Sequence, residues 1–370
     1  MIRSKQATWG VAVVAATLFL AGCERPPMET AQIGYRGVAM EQVTNPRLAA
    51  RSAAANVLPS SLPAASADPP MAKDIYQNIQ VLDDLSLGEF TRVMLAMTAW
   101  VSPEQGCTYC HAEDNLADDS KYQKVVSRRM LQMTRHINSD WTNHVAQTGV
   151  TCFTCHRGQN IPAQVWFTDP GPKQAPAMAR TPTRQNIASE SVGVTSLPYD
   201  SFSTFLRDGP ADIRVISNTA LPNGSDRNIK QTEATYGLMM HMSQGLGVNC
   251  THCHNSRSFA QWDQSTPQRT TAWYGIRMAR DLNVAFLEPL QGTFPTTRLG
   301  PLGDVAKVNC ATCHQGVNKP LRGVSQLADY PELRAARAPM PAADGAAAAP
   351  AAEAPAADAA AAVPAAAAGG

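Results

Sequence analysis

Aromatic side chains make up only 6 % of this 370-residue chain, which is thin for an interior of that size. Protein cores are close-packed, so such a chain leaves part of its interior to be filled by something other than its own rings. Net charge is nearly absent, with 31 Lys and Arg against 30 Asp and Glu. That balance excludes the basic surplus expected of a nucleic-acid partner. Histidine is scarce, at eight in all. Long apolar runs are missing too: residues 11–20 are apolar, but the run is too short, and too soon followed by Cys23-Glu24-Arg25-Pro26-Pro27, to span a membrane.

What is present at the N-terminus is an export pattern. Arg3 and Lys5 precede the apolar run, as in a signal peptide. The ending, Leu20-Ala21-Gly22-Cys23, resembles the lipobox of bacterial lipoproteins. The expectation is a lipoprotein signal peptide over residues 1–22 and a lipid on Cys23. Such a lipid attaches a chain to the membrane without spanning it. Residues 23–70, rich in Ala, Pro and Ser, then read as a lipid-anchored tether or a segment draped over a partner.

The rest of the chain divides into two structured regions, 71–167 and 199–325, joined by a Pro/Gly-rich connector at 168–198. The tail, 326–370, is almost entirely Ala, Pro, Asp and Glu and reads as disordered. Each structured region carries two copies of one pattern: Cys107-x-x-Cys110-His111 and Cys152-x-x-Cys155-His156, then Cys250-x-x-Cys253-His254 and Cys310-x-x-Cys313-His314. A methionine-bearing helical stretch precedes each copy. Three align as VMLAMTAWV from Val93, RMLQMTRHI from Arg129 and LMMHMSQGL from Leu238, and the fourth is RMARDLNVAF from Arg277. The pattern reads as one unit used four times, in two pairs.

CxxCH is the attachment signature of c-type haem. Two thiols about one helical turn apart can each add to a vinyl group of the same porphyrin, and the following histidine binds iron from the proximal face. The rival readings, paired zinc ligands or a CxxC redox motif, do not require a histidine after every second cysteine. Eight of the nine cysteines are thereby assigned to four haems, and the ninth is Cys23. Four porphyrins also account for the shortage of aromatic residues. The fold class expected is a mainly α multihaem c-type cytochrome. It has two pseudo-symmetric halves, each with a pair of haem-binding helix–loop–CxxCH units, and few strands.

Function then turns on the second axial ligand, because an iron with two protein ligands passes electrons whereas an open one does chemistry. The aligned slots are Met94, Met130 and Met239, with a second set at Met97, Met133 and Met242. Each pair is spaced i, i+3 and shares a helix face, so spacing alone does not choose between them. In the fourth unit Met278 occupies the slot and Asp281 the second position. Of the histidines outside the motifs, His136 and His241 read as haem-propionate or solvent contacts and His252 as a loop residue.

Four CxxCH motifs in two pairs, a lipobox and the RMLQM and LMMHM helices together resemble the tetrahaem cytochrome subunit of purple-bacterial photosynthetic reaction centres. The resemblance covers residues 71–321 and the lipobox. It implies distal ligands Met94, Met130 and Met239 for haems 1 to 3 and His144 for haem 4, which makes Met278 a packing residue. It also implies haems lined up in the order 1, 2, 4, 3, on the periplasmic face of the photosynthetic membrane. The partners implied are the membrane-embedded subunits carrying the bacteriochlorophyll special pair and a soluble donor, a cytochrome c or a high-potential iron–sulfur protein. The acidic run Glu113-Asp114-Asn115-Leu116-Ala117-Asp118-Asp119 is a candidate donor-steering face near haem 1. Two other functions use the same motifs: a periplasmic multihaem oxidoreductase with an open catalytic haem, and a free-standing multihaem electron shuttle.

Overall fold

The computed structural model describes residues 27–33, 40–169, 197, 200–209, 213–216 and 227–334. Cys23, the signal segment, most of the connector and residues 335–370 lie outside the described residues. The fold is mainly helical, and among the described residues there is one sheet, the antiparallel hairpin β1 (Glu29–Gln32) and β2 (Glu41–Thr44). No helix among the described residues is long and apolar enough to cross a membrane.

The helices are α1 (Pro46–Ala55), α2 (Ala72–Ile75), α3 (Leu87–Val101), α4 (Tyr122–Asp140), α5 (Thr142–Val145), α6 (Cys152–His156), α7 (Ser201–Leu206), α8 (Ile229–Leu246), α9 (Pro267–Asp281) and α10 (Cys310–His314). Local sequence explains where the long ones start. Ser86 caps α3 in a capping box with Glu89, and Asn228 does the same for α8 with Gln231. Pro267, at the first position of α9, has no N–H to leave unpaired there. On α3 the buried positions Arg92, Val93, Ala96 and Trp100 recur at helical spacing and form a stripe.

Apolar packing falls into three clusters. The first gathers Val81, Leu82, Leu85, Val93, Trp100 and Leu131 with Leu327, Tyr330 and Leu333. The second sets Phe202, Phe205 and Leu206 of α7 against Leu238, Ile276 and Trp166. The third joins Ile137 of α4 to Met278, Leu282 and Phe286. Each region therefore lends a segment to the other's core. Trp166 sits in the second cluster, where its backbone exchanges two 2.9 Å hydrogen bonds with Lys307, and residues 327–333 sit in the first.

Two boundary expectations are corrected. The tail does not begin at 326: short 3-10 turns at Gln326–Ala328 and Pro331–Leu333 are packed. Tyr330 stacks edge-on against Trp100, with centroids 4.6 Å apart. Nor is the segment after Cys23 a free tether once it reaches residue 40. It straps the chain's own body through hydrogen bonds, with Met40 buried and Leu62 packed against the first cluster. Asn56, buried, donates to Gln315 O and accepts from Leu321 N and Arg157 Nη2. On β2, Val43 N donates to Asn249 Oδ1 and Glu41 O accepts from Thr251 Oγ1, which fastens the hairpin to the third CxxCH loop.

Candidate haem-binding sites

The four motifs adopt two local forms. Cys107 and Cys250 each open a single 3-10 turn, Gly106–Tyr109 and Cys250–His252, in which the histidine N–H returns 3.0 Å to the first cysteine's carbonyl. The second and fourth motifs are the short helices α6 and α10. Thr151 pairs with Thr154 and Asn309 with Thr312 in capping boxes, and left-handed Arg157 and Gln315 end the two helices. The glycine that follows each, Gly158 or Gly316, donates 2.8 Å to the helix lying above it, at Trp100 O of α3 and Gly245 O of α8. In all four, one turn of helix brings the two thiols and the histidine together.

The histidines are prepared as ligands. His111 Nδ1 lies 2.8 Å from Leu116 O, His156 Nδ1 2.9 Å from Gln159 O, His254 Nδ1 2.9 Å from Phe259 O and His314 Nδ1 3.0 Å from Val317 O. A carbonyl accepts only, so each Nδ1 carries the proton and each Nε2 keeps its lone pair for a metal. The loop length repeats the pairing of the motifs: the carbonyl comes five residues on in the first and third, and three on in the second and fourth. Burial lowers the pKa of His156 and pushes His314 down to about 4, so both rings are neutral near pH 7.

His144 follows the same rule from a different place. It lies on α5, and its Nδ1 is 2.9 Å from Thr271 O on α9. Its ring faces that of His314, with centroids 6.1 Å apart and planes at 66°. One transition-metal ion bonded at roughly 2 Å to a nitrogen of each ring would hold two imidazoles about 6 Å apart. The fourth site therefore fits a metal ion between His144 and His314, and by the same donor chemistry a haem iron.

The methionines lie on the expected helices, and on α3 and α4 both slots face the same space. Met94 and Met97 of α3 border the first cluster, and both line a connected cavity of about 1050 Å³ together with Met130 and Met133 of α4. The same cavity is lined by Cys107, Cys110, His111, Cys152, Cys155, His156, His144, Cys310, Cys313 and His314, and reaches Cys253. On α8, Met242 lines it and Met239 packs against the second cluster. A cavity bordered by thiols, imidazoles and thioethers fits porphyrins and answers the shortage of rings noted above. Where α6 meets α10, Cys155 Sγ and Cys313 Sγ are 2.7 Å apart, so the second and fourth sites adjoin.

Met278 is buried in the third cluster with Leu282 and Phe286 and also lines the cavity. Of the remaining histidines, His136 and His252 are half-buried and His241 is buried. His241 is buried, its Nε2 has no hydrogen-bond partner among the described residues, and burial pushes its pKa down to about 4. His136 is clasped by Asp281, 2.6 Å from Nε2, and Asp140, 2.8 Å from Nδ1. Burial lowers the His136 pKa, but the two carboxylates outweigh it and leave the value raised. A raised folded value means stability that is full below the ordinary histidine pKa near 6.5 and lost as pH climbs through the folded one. The native chain's advantage over His136→Gln in thermal melts is therefore expected to shrink as pH rises from the ordinary histidine value through the raised folded one; a constant difference would contradict this.

Three supports escaped sequence reasoning: Thr271, Gly275 and Asn56. Only Gly275, a glycine inside a helical pattern, left a trace.

Comparison with known proteins agrees with this chemistry. Residues 24–334 match the family model described as the photosynthetic reaction centre cytochrome C subunit. The photosynthetic reaction center cytochrome c subunit of Rubrivivax gelatinosus is 56 % identical over 343 residues, covering 92 % of each chain. That of Thermochromatium tepidum is 52 % identical over 333 residues, covering 90 % of this chain and 82 % of its own. The counterpart in Roseobacter denitrificans is 43 % identical, covering 73 % of this chain and 75 % of its own. Motifs, neutral imidazoles and relatives converge: the chain belongs to the photosynthetic reaction centre cytochrome c subunit family, as an electron-transfer component that carries covalently bound haem.

Proposed function

We propose that the chain holds four c-type haems as a closed relay from soluble periplasmic donors to the photo-oxidised special pair of a reaction centre. The observation that carries the reading is the common hydrogen bond of five histidines. Each of the four proximal rings and His144 gives its Nδ1 proton to a backbone carbonyl and keeps Nε2 free. Bound haem supplies an iron that changes between ferrous and ferric. The residues that would hold the four irons are His111 with Met94, His156 with Met130, His254 with Met239 and His314 with His144, so that each iron would be closed to small molecules. Thioether sulfur favours ferrous iron, so the His/Met centres stand above the bis-His centre in potential. The unpaired Nε2 of His241 is left as a donor for a haem carboxylate.

The two-pair arrangement is supported by the alternation of local forms, 3-10 turn then capped helix, in each half. The order 1, 2, 4, 3 is supported by the contact of Cys155 with Cys313 between the second and fourth sites. Orientation is supported by the strap. Glu29 lies six positions beyond Cys23, a reach of at most about 21 Å, and the hairpin that begins there is bonded to the third motif's loop. A lipid on Cys23 thus holds the third site toward the periplasmic membrane surface, where the membrane-embedded partner subunits lie. The first site is left for a soluble donor, a cytochrome c or a high-potential iron–sulfur protein.

The donor-steering proposal is narrowed by structure. Asp119 accepts from Arg128 at 2.8 Å, Lys124 at 3.1 Å and Asn78 at 3.0 Å, and its carboxyl is held well below the usual range, first by Arg128. It is a structural anchor, so the charges free to steer a basic partner are the exposed Glu113 and Asp114. Reversing both to lysine is expected to slow donor association several-fold at low salt, with the rates converging at high salt. Equal rates at all salt concentrations would remove the steering role.

The relay reading is tested on the purified native protein by a pyridine haemochrome count and by carbon monoxide added after reduction. Four haems per chain and negligible carbon monoxide binding are expected. One haem binding carbon monoxide stoichiometrically would favour the catalytic alternative.

A further inference from the structure

We infer that Gly275 is the seat of the His144 imidazole, a positioning residue that lets the ring reach the Thr271 carbonyl and so sets its tautomer and plane at the fourth site. This rests on the reading of His144 as the distal ligand there.

In an α-helix the residue four places on lies directly above a given carbonyl and donates its N–H to it. Thr271 and Gly275 of α9 stand in that relation. A carbonyl oxygen has two lone pairs, and His144 Nδ1 takes the second at 2.9 Å. To do so the ring must lie where a side chain at 275 would begin. A Cβ there would stand 2.5 Å from Cε1, 2.9 Å from Nδ1 and 3.2 Å from Nε2 of His144. All three contacts are with one ring, and two are closer than side chains pack. Glycine weakens the interior of a helix, so its presence here is accounted for by the ring and not by helix formation.

The imidazole is held by its own Nδ1 bond to Thr271 O and its backbone by the turn bond from His144 N to Trp141 O, with the His314 ring 6.1 Å away centroid to centroid. A methyl group at 275 therefore breaks the Thr271 contact or turns the imidazole. Either change is read at a single centre: imidazole tautomer and plane set ligand basicity, which shows in the low-spin electron paramagnetic resonance signal and in the midpoint potential.

The experiment uses the native, haem-loaded protein and four variants: Gly275→Ala, His144→Ala, His144→Gly and the double variant His144→Gly with Gly275→Ala. His144→Ala identifies the signal that belongs to the fourth site. Gly275→Ala is expected to shift the g-values and potential of that one signal and leave the other three unchanged. An unchanged spectrum and titration would overturn the proposal while the ligand reading survives. If His144→Ala alters no haem signal, the ligand reading falls and this proposal with it. Should Gly275→Ala fail to accumulate, the double variant decides. With the ring gone, the three nearest contacts of a Cβ at 275 are gone, and the double variant is expected to accumulate like His144→Gly alone; failure to do so would also overturn the proposal.

Discussion

Exchange of His144 for methionine is expected to raise the midpoint potential of one haem by on the order of 0.1 V, a modest part of the roughly 0.8 V that axial ligands span. The reason lies in donor softness. An imidazole whose Nδ1 proton is shared with a carbonyl is a strong donor to ferric iron, and the Thr271 bond makes His144 such a ligand. A thioether shifts the balance toward the ferrous form. The change should also convert one low-spin signal from bis-histidine to histidine–methionine type. Potentiometry across all four waves checks it. Four unchanged waves would mean that the 6.1 Å pairing of His144 with His314 serves packing and not ligation.

The second large effect is on stability. Arg92 of α3 and Glu332 of the C-terminal segment form an ion pair at 3.0 Å with side chains only 5 % and 4 % exposed. Arg92 also donates to the carbonyls of Leu62 and Pro63 and stacks 4.0 Å from the Tyr330 ring centroid. Glu332→Ala would leave a guanidinium buried without its counter-charge, a loss of about 3–5 kcal/mol. On a chain of this size the melting temperature of the haem-loaded protein should fall by on the order of 10 °C. Replacing both partners together, Arg92→Met with Glu332→Leu, is expected to recover most of that loss, because the cost lies in the orphaned charge. A single variant that melts like the native chain would show that residues 327–333 are not part of the first core.

These two effects mark what was legible in the sequence. CxxCH is a local code: both thiols and the histidine lie within one turn, so spacing alone identifies the cysteines and His111, His156, His254 and His314 as a set. The long methionine-bearing helices were legible because their segments align ahead of the motifs, from Val93, Arg129, Leu238 and Arg277. The C-terminal lock was not. Leu327, Tyr330 and Leu333 recur every three residues in isolated 3-10 turns, a pattern too short to stand out beside a stretch of Ala and Pro. The N-terminal strap was missed because it is held by side-chain-to-backbone bonds such as those of Asn56 and by isolated apolar residues, Met40 and Leu62, that form no periodic pattern. Nor does spacing indicate that His144 meets Thr271, 127 positions on. Slots i and i+3 on one helix face stay equivalent for Met94 and Met97 because both side chains line the same cavity.

The central claim is that the chain feeds electrons to a photo-oxidised pigment. Flash excitation of membranes containing the intact complex, monitored in the haem α-band, tests it most directly. The account predicts that re-reduction of the special pair coincides with oxidation of one high-potential haem, followed by slower equilibration among the others. Special-pair decay with no haem oxidation, while the haems are reduced before the flash, would contradict it.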